Sequence, residues 1–116
     1  MRYDLYITGS AENDINEAAD YIEYVLKNPQ AADNLLDAIE ETLPTLKENP
    51  QRFAIVSDPV LNAWGIRFVQ INNYLAFYAV DDNARKVNVI RFLYMKRDWI
   101  GILRQGYTVD RFSNEQ

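Results

Sequence analysis

Two arginines stand inside segments whose remaining pattern is that of a strand. Arg67 lies at the start of one alternating segment, and Arg91 lies midway through an apolar one. A strand gains little from a guanidinium among apolar side chains, so each arginine needs a partner. A polyanion is one candidate partner, and a carboxylate such as Asp58 or Asp98 is the other.

Three further side chains that can bind or move charge follow the last strand pattern. Tyr94 ends the apolar run, and Lys96 and Arg97 come shortly after it. A tyrosine in this position can pack as a half-buried aromatic or take part in a site. The two cations can contact an anion or form an ordinary solvated turn ahead of Asp98. The residue types alone leave both interpretations open.

The composition limits the size and the chemistry of the protein. With 116 residues, 48% of them hydrophobic, the chain can bury one ordinary core, and we expect one domain over residues 1–106 with a tail at 107–116. Cysteine and histidine are absent, which excludes disulfides, a thiolate metal site, the usual zinc ligand and the usual neutral-pH base. We therefore predict no metal and no cofactor. Any acid–base chemistry must use carboxylate, lysine, tyrosine or arginine.

The sequence shows neither a charged and apolar leader nor an apolar run long enough to cross a bilayer. The lack of cysteine is typical of a reducing compartment. We therefore expect a soluble cytoplasmic protein that has no membrane partner.

The charge is divided unevenly between the two halves of the chain. Residues 1–51 hold three basic and eleven acidic residues, a net charge of −8, and residues 52–116 hold nine and six, a net charge of +3. Together they give the net charge of −5. Such a domain can offer a basic face to phosphate while its acidic half repels it, although both halves can equally be ordinary solvated surface.

A strand and an amphipathic helix are predicted at the start of the chain. Residues 3–8 alternate in polarity, with the odd-numbered side chains on the buried face. The helix has Ser10 as its expected N-cap and Asn28-Pro29 as its stop. Its apolar face consists of Ile15, Ala18, Ala19, Ile22, Val25 and Leu26, its acidic face of Glu12, Asp14, Glu17, Asp20 and Glu23, and Tyr21 and Tyr24 are interpreted as packing residues.

A second amphipathic helix is predicted from about Gln30, so that the two helices form a hairpin. Pro44 interrupts its pattern, and we expect a kink or a restart there. Asn49-Pro50 ends the helical half, and residues 51–63 connect it to the strands.

Three strands and a short helix are predicted in the second half. The strands cover residues 66–71, 75–80 and 87–93. Asn72-Asn73 is typical of a two-residue hairpin turn, and Asp98 is the expected N-cap of a helix that ends near Gly106. The order of elements predicts an α+β fold: an antiparallel four-stranded sheet with both long helices on one face and a short C-terminal helix.

Several short motifs follow one another in a set order along most of the chain. They are the strand over residues 3–8, Ala11-Glu12-Asn13-Asp14-Ile15, Asp20-Tyr21-Ile22, Ala31-Ala32 with Leu35-Leu36, Leu46 to Pro50, Gly65-Ile66-Arg67, Tyr74 to Val80, and Ile90-Arg91-Phe92-Leu93-Tyr94 through Arg97-Asp98. Over roughly residues 3–103 this set resembles the RelE/ParE superfamily of toxins of type II toxin–antitoxin systems. The ordered set is specific for the superfamily but not for one of its branches.

The resemblance implies one of two ways of inhibiting growth. RelE-like members cut messenger RNA in the ribosomal A site, whereas ParE-like members poison DNA gyrase and have no nuclease chemistry. We place ribosome-dependent mRNA cleavage by a metal-independent endoribonuclease first, with a ParE-like gyrase inhibitor or an inactive partner-binding relative as alternatives. The implied partners are a cognate antitoxin, whose disordered end folds onto the toxin, and either the ribosome with messenger RNA or gyrase.

For RNA cleavage, the resemblance also implies roles for single residues. Attack of a 2′-hydroxyl on the neighbouring phosphate needs a base, cations for the charged phosphorane and an acid for the leaving oxygen. By resemblance, Arg67 and Arg91 clamp the phosphate and the transition state, and Tyr94 stacks on a base or moves a proton. Lys96 and Arg97 resemble added contacts to the RNA backbone.

The sequence also departs from the nucleases of the family. Leu93 stands where some of them carry histidine, and the lysine-rich segment that supplies a base in others is missing. No general base can therefore be named. We further expect Arg67 and Arg91 to share one open, concave sheet face with Tyr94 at its rim, because one phosphate cannot be clamped from opposite faces.

Overall fold

The computed structural model describes residues 2–105. The strands are β1 (Asp4–Ile7), β2 (Arg67–Ile71), β3 (Tyr74–Asp81) and β4 (Lys86–Tyr94). The α-helices are α1 (Gly9–Asp20), α2 (Pro29–Thr42), α3 (Pro59–Ala63) and α4 at residues 99–105. The predicted helix end near Gly106 and the predicted tail at 107–116 lie outside the described residues. No helix within residues 2–105 is long and apolar enough to cross a membrane.

The predicted α+β fold with a four-stranded sheet is confirmed, but the sheet is mixed and not wholly antiparallel. The strand order is β1-β4-β3-β2; β3 is antiparallel to both its neighbours, and β1 is parallel to β4. The alternating pattern of β1 indicates which side chains are buried and carries no information on strand direction. Because two long helices connect β1 to the rest of the sheet, β1 can pair with its neighbour in either a parallel or an antiparallel direction.

The start of α1 is set by a contact with β4. Thr8, and not the predicted Ser10, caps the helix: its hydroxyl oxygen accepts from the N–H of Ala11 at 3.2 Å. The same hydroxyl donates to the carbonyl of Ile90 at 3.1 Å, and the N–H of Thr8 donates to the carbonyl of Val89 at 3.0 Å. Helix α1 therefore begins beside β4, where the pairing with β1 ends.

A π-helical turn, Tyr21–Val25, follows α1 in the helical hairpin. The N–H of Leu26 donates to the carbonyl of Tyr21 at 3.0 Å, which closes a turn one residue wider than that of an α-helix. The extra residue moves the apolar stripe out of register with the core. The predicted burial of Val25 and Leu26, and the interpretation of Tyr21 and Tyr24 as packing residues, are therefore wrong, because all four are exposed.

The predicted restart at Pro44 is confirmed. Helix α2 ends at Thr42, and a 3₁₀-helix, Leu43–Lys47, continues the chain. Pro44 lies in the first turn of that 3₁₀-helix, where a missing N–H leaves no hydrogen bond unmade.

The sheet separates two apolar cores. On one face, α1 and α2 pack against alternate sheet residues, with Leu35 and Tyr78 among the buried side chains. On the other face, Leu61 of α3 and Leu103 of α4 share a core with Phe77. Both long helices lie on one face, as expected, and the second face is covered by the segment before β2 and by α4.

Candidate functional site

Arg91 is held in an ion pair with Asp14 of α1. Its Nε lies 2.6 Å from Oδ2 of Asp14 and its Nη2 lies 3.0 Å from Oδ1, so the guanidinium donates two parallel bonds. The backbone N–H of Phe92 donates a third bond to Oδ2 at 3.0 Å. The Asp14 side chain is 8% exposed and that of Arg91 is 22% exposed. The partner of Arg91 is thus a carboxylate, although neither Asp58 nor Asp98.

A β-bulge in β4 accompanies this contact. The register of β4 against β3 shifts next to Arg91, so that Ile90 is an extra residue in β4. Because α1 begins beside Ile90, the carboxylate of Asp14 reaches both the guanidinium of Arg91 and the backbone of Phe92. The pair joins residues 77 positions apart in the sequence.

The helical spacing predicts Asp14 on the exposed acidic face of α1, and this prediction is wrong, because the side chain is buried. Asp14 lies three residues after Ala11 and four before Ala18, and both alanines are buried. This spacing puts Asp14 on the same stripe of the helix as the two alanines. The stripe was thus a signal in the sequence for a carboxylate that points inward.

The guanidinium of Arg67 fastens a neighbouring loop to the sheet. Its Nη1 donates to the carbonyl of Gln51 at 2.9 Å and to that of Phe53 at 2.5 Å. Tyr78, opposite Arg67 on β3, donates from its hydroxyl to the carbonyl of Pro50 at 2.6 Å. Burial raises the pKa of Tyr78 to about 12. Arg67 and Tyr78 together hold the loop that leads from the helices to the strands.

The two strand arginines do not share an open face, and that predicted geometry is wrong. Arg67 is bonded to loop carbonyls and Arg91 to the Asp14 carboxylate, and both faces of the sheet in residues 2–105 carry a core. The catalytic roles of Arg67, Arg91 and Tyr94 and the RNA contacts of Lys96 and Arg97 stay predictions.

The other candidate partners of the arginines have their own contacts. Asp58 accepts two bonds from Arg104 of α4, at 2.6 and 3.2 Å, and caps α3 through the N–H of Leu61 at 3.1 Å. The bond from Arg104 lowers the pKa of Asp58. Asp98 accepts from the N–H of Gly101 at 3.2 Å, which confirms it as the cap of α4.

A groove of about 640 Å³ opens between the end of α1 and the end of the sheet. On its sheet side the ring of Tyr74 stacks on Phe92 at 5.0 Å and meets Tyr94 edge-on at 5.7 Å. Burial raises the pKa of Tyr74, whereas Tyr94 is 38% exposed. The helical side of the groove consists of Ala18, Tyr21, Ile22 and Leu26.

Three charged side chains line this groove: Asp14, Glu17 and Arg97. Asp14 is engaged by Arg91, and Glu17 accepts a bond from Asn13 at 3.1 Å. The structure thus brings Tyr94, Arg97 and the Asp14–Arg91 pair to one place. The groove has mostly aromatic and aliphatic walls, which suit the binding of apolar groups better than proton transfer.

Two of the predicted site residues, Arg67 and Lys96, lie apart from the groove. Arg67 is not among the residues that line the groove, and Lys96 is exposed in the turn after β4. Among the described residues, no group of three or more acidic side chains is placed to hold a metal ion.

Comparison with known proteins shows similarity to toxin–antitoxin proteins. The family model described as "ParE toxin of type II toxin-antitoxin system, parDE" matches residues 5–99. A chain of the chromosomal ParDE TA system from P. aeruginosa is similar in structure, with a TM-score of 0.66 and 19% identity, covering 82% of this chain and 98% of that one. A chain of the toxin-antitoxin complex RelBE2 from Mycobacterium tuberculosis gives a TM-score of 0.59 and 20% identity, covering 81% and 99%. A search of curated protein sequences found no match.

Proposed function

Since the chain belongs to the ParE family of toxins of type II toxin–antitoxin systems, we propose that it arrests growth by binding DNA gyrase and does not cleave RNA. The resemblance associates gyrase inhibition with the ParE-like branch of the superfamily, and the family model that matches is that of ParE. Gyrase inhibition therefore comes before mRNA cleavage, the reverse of the order that the sequence alone favours.

The observation that carries the proposal is the Asp14–Arg91 ion pair. A nuclease must offer its guanidinium to the phosphorane when charge develops there, and one such preorganised donor contributes about 3 kcal/mol. Turning Arg91 toward RNA would leave Asp14, 8% exposed, without its counter-charge. Breaking a buried pair in this way costs about 3 kcal/mol, which offsets the catalytic gain.

The lack of histidine, the usual base at neutral pH, supports the same conclusion. RNA cleavage by a 2′-hydroxyl needs a group that accepts its proton. The chain has no histidine, and Leu93, where some nucleases of the family carry one, is 2% exposed. Of the groove carboxylates, Asp14 is held by Arg91 and Glu17 lies exposed on α1. Inhibition by binding to gyrase requires no group that accepts a proton.

We propose a cognate antitoxin as the second partner of the chain. Both similar structures come from toxin–antitoxin systems. A disordered segment that folds onto the toxin can cover a large surface and be removed by proteolysis. Growth arrest that no coexpressed protein from the same operon relieves contradicts this part of the proposal.

Gyrase assays and RNA mapping with the same protein test the proposed activity. The purified chain should stop gyrase from supercoiling relaxed plasmid and should accumulate linear or nicked plasmid, while reactions without gyrase stay unchanged. Messenger RNA from expressing cells should show no new 5′ ends by primer extension. New 5′ ends inside translated codons, together with normal supercoiling, refute the proposal.

Messenger RNA cleavage is the second candidate, and one observation favours it. Tyr94 is 38% exposed in the groove that Arg97 also lines, so a base could stack beside a cation there. The variants Tyr94→Phe and Tyr94→Ala separate the two candidates. Loss of toxicity in Tyr94→Phe, which keeps the ring and removes only the hydroxyl, favours proton transfer; full toxicity favours binding. A chain that affects neither process is an inactive relative.

A further inference from the structure

The end of the helical hairpin, residues 21–26, exposes four large apolar side chains. We call these residues the hairpin end. Tyr21 is 52% exposed, Tyr24 67%, Val25 63% and Leu26 55%, and the π-helical turn buries none of its residues. Adjacent apolar side chains in water are unfavourable for a small protein and mark a surface that contacts a partner.

Only part of the hairpin end lines the groove described above. Tyr21 and Leu26 line the helical side of that groove, whereas Tyr24 and Val25, the two most exposed of the four, lie outside it. A π-helical turn is rare and occurs frequently at functional sites. A partner of Tyr24 and Val25 must therefore supply the concave apolar surface itself.

The hairpin end is set in an acidic surface. The segment from α1 through α2, residues 9–42, contains nine acidic residues and one basic residue, Lys27. Glu17 and Asp20 are exposed beside the hairpin end, and a hydrogen bond with Glu23 raises the pKa of Tyr24. The partner surface that complements this charge is basic.

We propose that the hairpin end enters an apolar recess, rimmed by lysine and arginine, on a part of the target enzyme's basic surface that bound DNA leaves free. The proposal rests on the proposed function, since an enzyme that handles DNA must carry a basic surface. That surface attracts the acidic hairpin and repels the half of the chain whose net charge is +3. The hairpin, and not the sheet, is therefore the side of the toxin that docks.

The test compares two exposed tyrosines. Tyr24→Ser removes an apolar contact at the hairpin end, and Tyr6→Ser removes a tyrosine that is 51% exposed on β1, where Lys86 lies over its ring. We expect Tyr24→Ser to weaken gyrase binding and inhibition at least about tenfold, as for a central interface aromatic. Tyr6→Ser should change gyrase binding and inhibition less than about twofold. Both variants should have the melting temperature of the unmodified chain. Val25→Ser should behave like Tyr24→Ser.

A charge test uses carboxylates near to and far from the hairpin end. Asp20→Lys should weaken gyrase binding more than Glu40→Lys, which changes the net charge equally on an exposed position of α2. Binding of the unmodified chain should weaken as salt rises, and duplex DNA bound to gyrase should leave the toxin in place. Duplex DNA that displaces the toxin from gyrase contradicts the assignment to a basic surface that DNA leaves free.

The outcomes separate this proposal from the one on which it rests. If the unmodified chain does not inhibit gyrase, the proposed function fails and the docking assignment fails with it. If inhibition survives both Tyr24→Ser and Val25→Ser, only the docking assignment is overturned. Full inhibition with loss of antitoxin neutralisation would show that the hairpin end belongs to the antitoxin, which also overturns it.

Discussion

Two regions of the same helical segment are in opposite environments. In the middle of α1 a carboxylate, Asp14, is buried against the sheet and paired with Arg91. About three turns further on, at the hairpin end, Tyr24 and Val25 are exposed to water. One region buries charge and the other exposes apolar surface.

The difference separates residues that hold the fold from residues available to a partner. The Asp14 carboxylate is hydrogen-bonded within the chain, because the guanidinium of Arg91 and the N–H of Phe92 both donate to it. Removing one member leaves a buried charge without its partner. The four large exposed residues of the hairpin end have no comparable internal role, since each of them is more than half exposed. Four predictions test this division.

The largest expected effect is that of breaking the buried pair. Arg91→Ala should lower the free energy of unfolding by about 3 kcal/mol, because Asp14 then stays buried without a counter-charge. Asp14→Ala should cost a similar amount, and the double variant less than the sum of the two. Urea unfolding measures all three. The control is Arg2→Ala, whose pair with Glu48 is exposed and should contribute less than about 1 kcal/mol.

This prediction also changes how a loss of toxicity in Arg91→Ala is interpreted. A variant that is no longer folded in the cell loses any activity, whether or not Arg91 touches RNA. If Arg91→Ala instead keeps the stability of the unmodified chain and loses only toxicity, the ion pair is not structural. The case against a catalytic Arg91 then fails.

A smaller effect is expected for Arg67→Ala, about 2 kcal/mol, because two carbonyls lose a charged donor. The loop that it holds should loosen. Hydrogen exchange should therefore accelerate at the N–H of Phe68, which bonds the carbonyl of Ala54 in that loop. Arg52→Ala also removes bonds to carbonyls, at an exposed position, and should leave the exchange of Phe68 unchanged. Unchanged exchange in both variants contradicts the role given to Arg67.

The hydroxyl of Tyr78 should contribute about 1 kcal/mol, measured by thermal unfolding of Tyr78→Phe. The pKa of Tyr78 is raised from 10.0 in the unfolded chain to about 12 in the fold. Its contribution is therefore complete below pH 10 and is lost as the pH rises from 10 to 12. Tyr78→Phe should flatten the decline of stability over that interval. A decline identical to that of the unmodified chain contradicts this assignment.

The smallest effect should be at the hairpin end. Val25→Ser should change the free energy of unfolding by less than about 0.5 kcal/mol, because the side chain is already 63% exposed. Leu35→Ala, at 1% exposed, should cost about 3 kcal/mol in the same assay. A large loss of stability in Val25→Ser would indicate that the hairpin end packs on the protein itself. The difference between the hairpin end and the buried Asp14–Arg91 pair would then not hold.

Much of the local structure could be predicted from the sequence. The turn at Asn72-Asn73 separates β2 from β3, where Asn72 adopts a positive φ of 54°, and the chain restarts at Pro44. Each of these features depends on neighbouring residues, whose conformational preferences act over a few positions. The ordered motifs also indicated the superfamily, which the match over residues 5–99 confirms.

The candidate site was less predictable, because its contacts join distant parts of the chain. The sequence shows that Arg91 needs a partner, but it does not show that a bulge at Ile90 places Arg91 beside Asp14. The π-helical turn that exposes the hairpin end likewise has no signature in the apolar spacing, which continues unbroken to Leu26.

By itself the sequence determined the order of the elements, the buried face of β1 and the residues that turn or stop the chain. Only the tertiary structure decided the direction of β1 against β4, the pairing of Asp14 with Arg91 and the covering of both sheet faces. The physical reason is the range of the interactions. Backbone preferences and apolar periodicity act within a few residues, whereas a buried charge finds its partner only when packing brings two distant segments together.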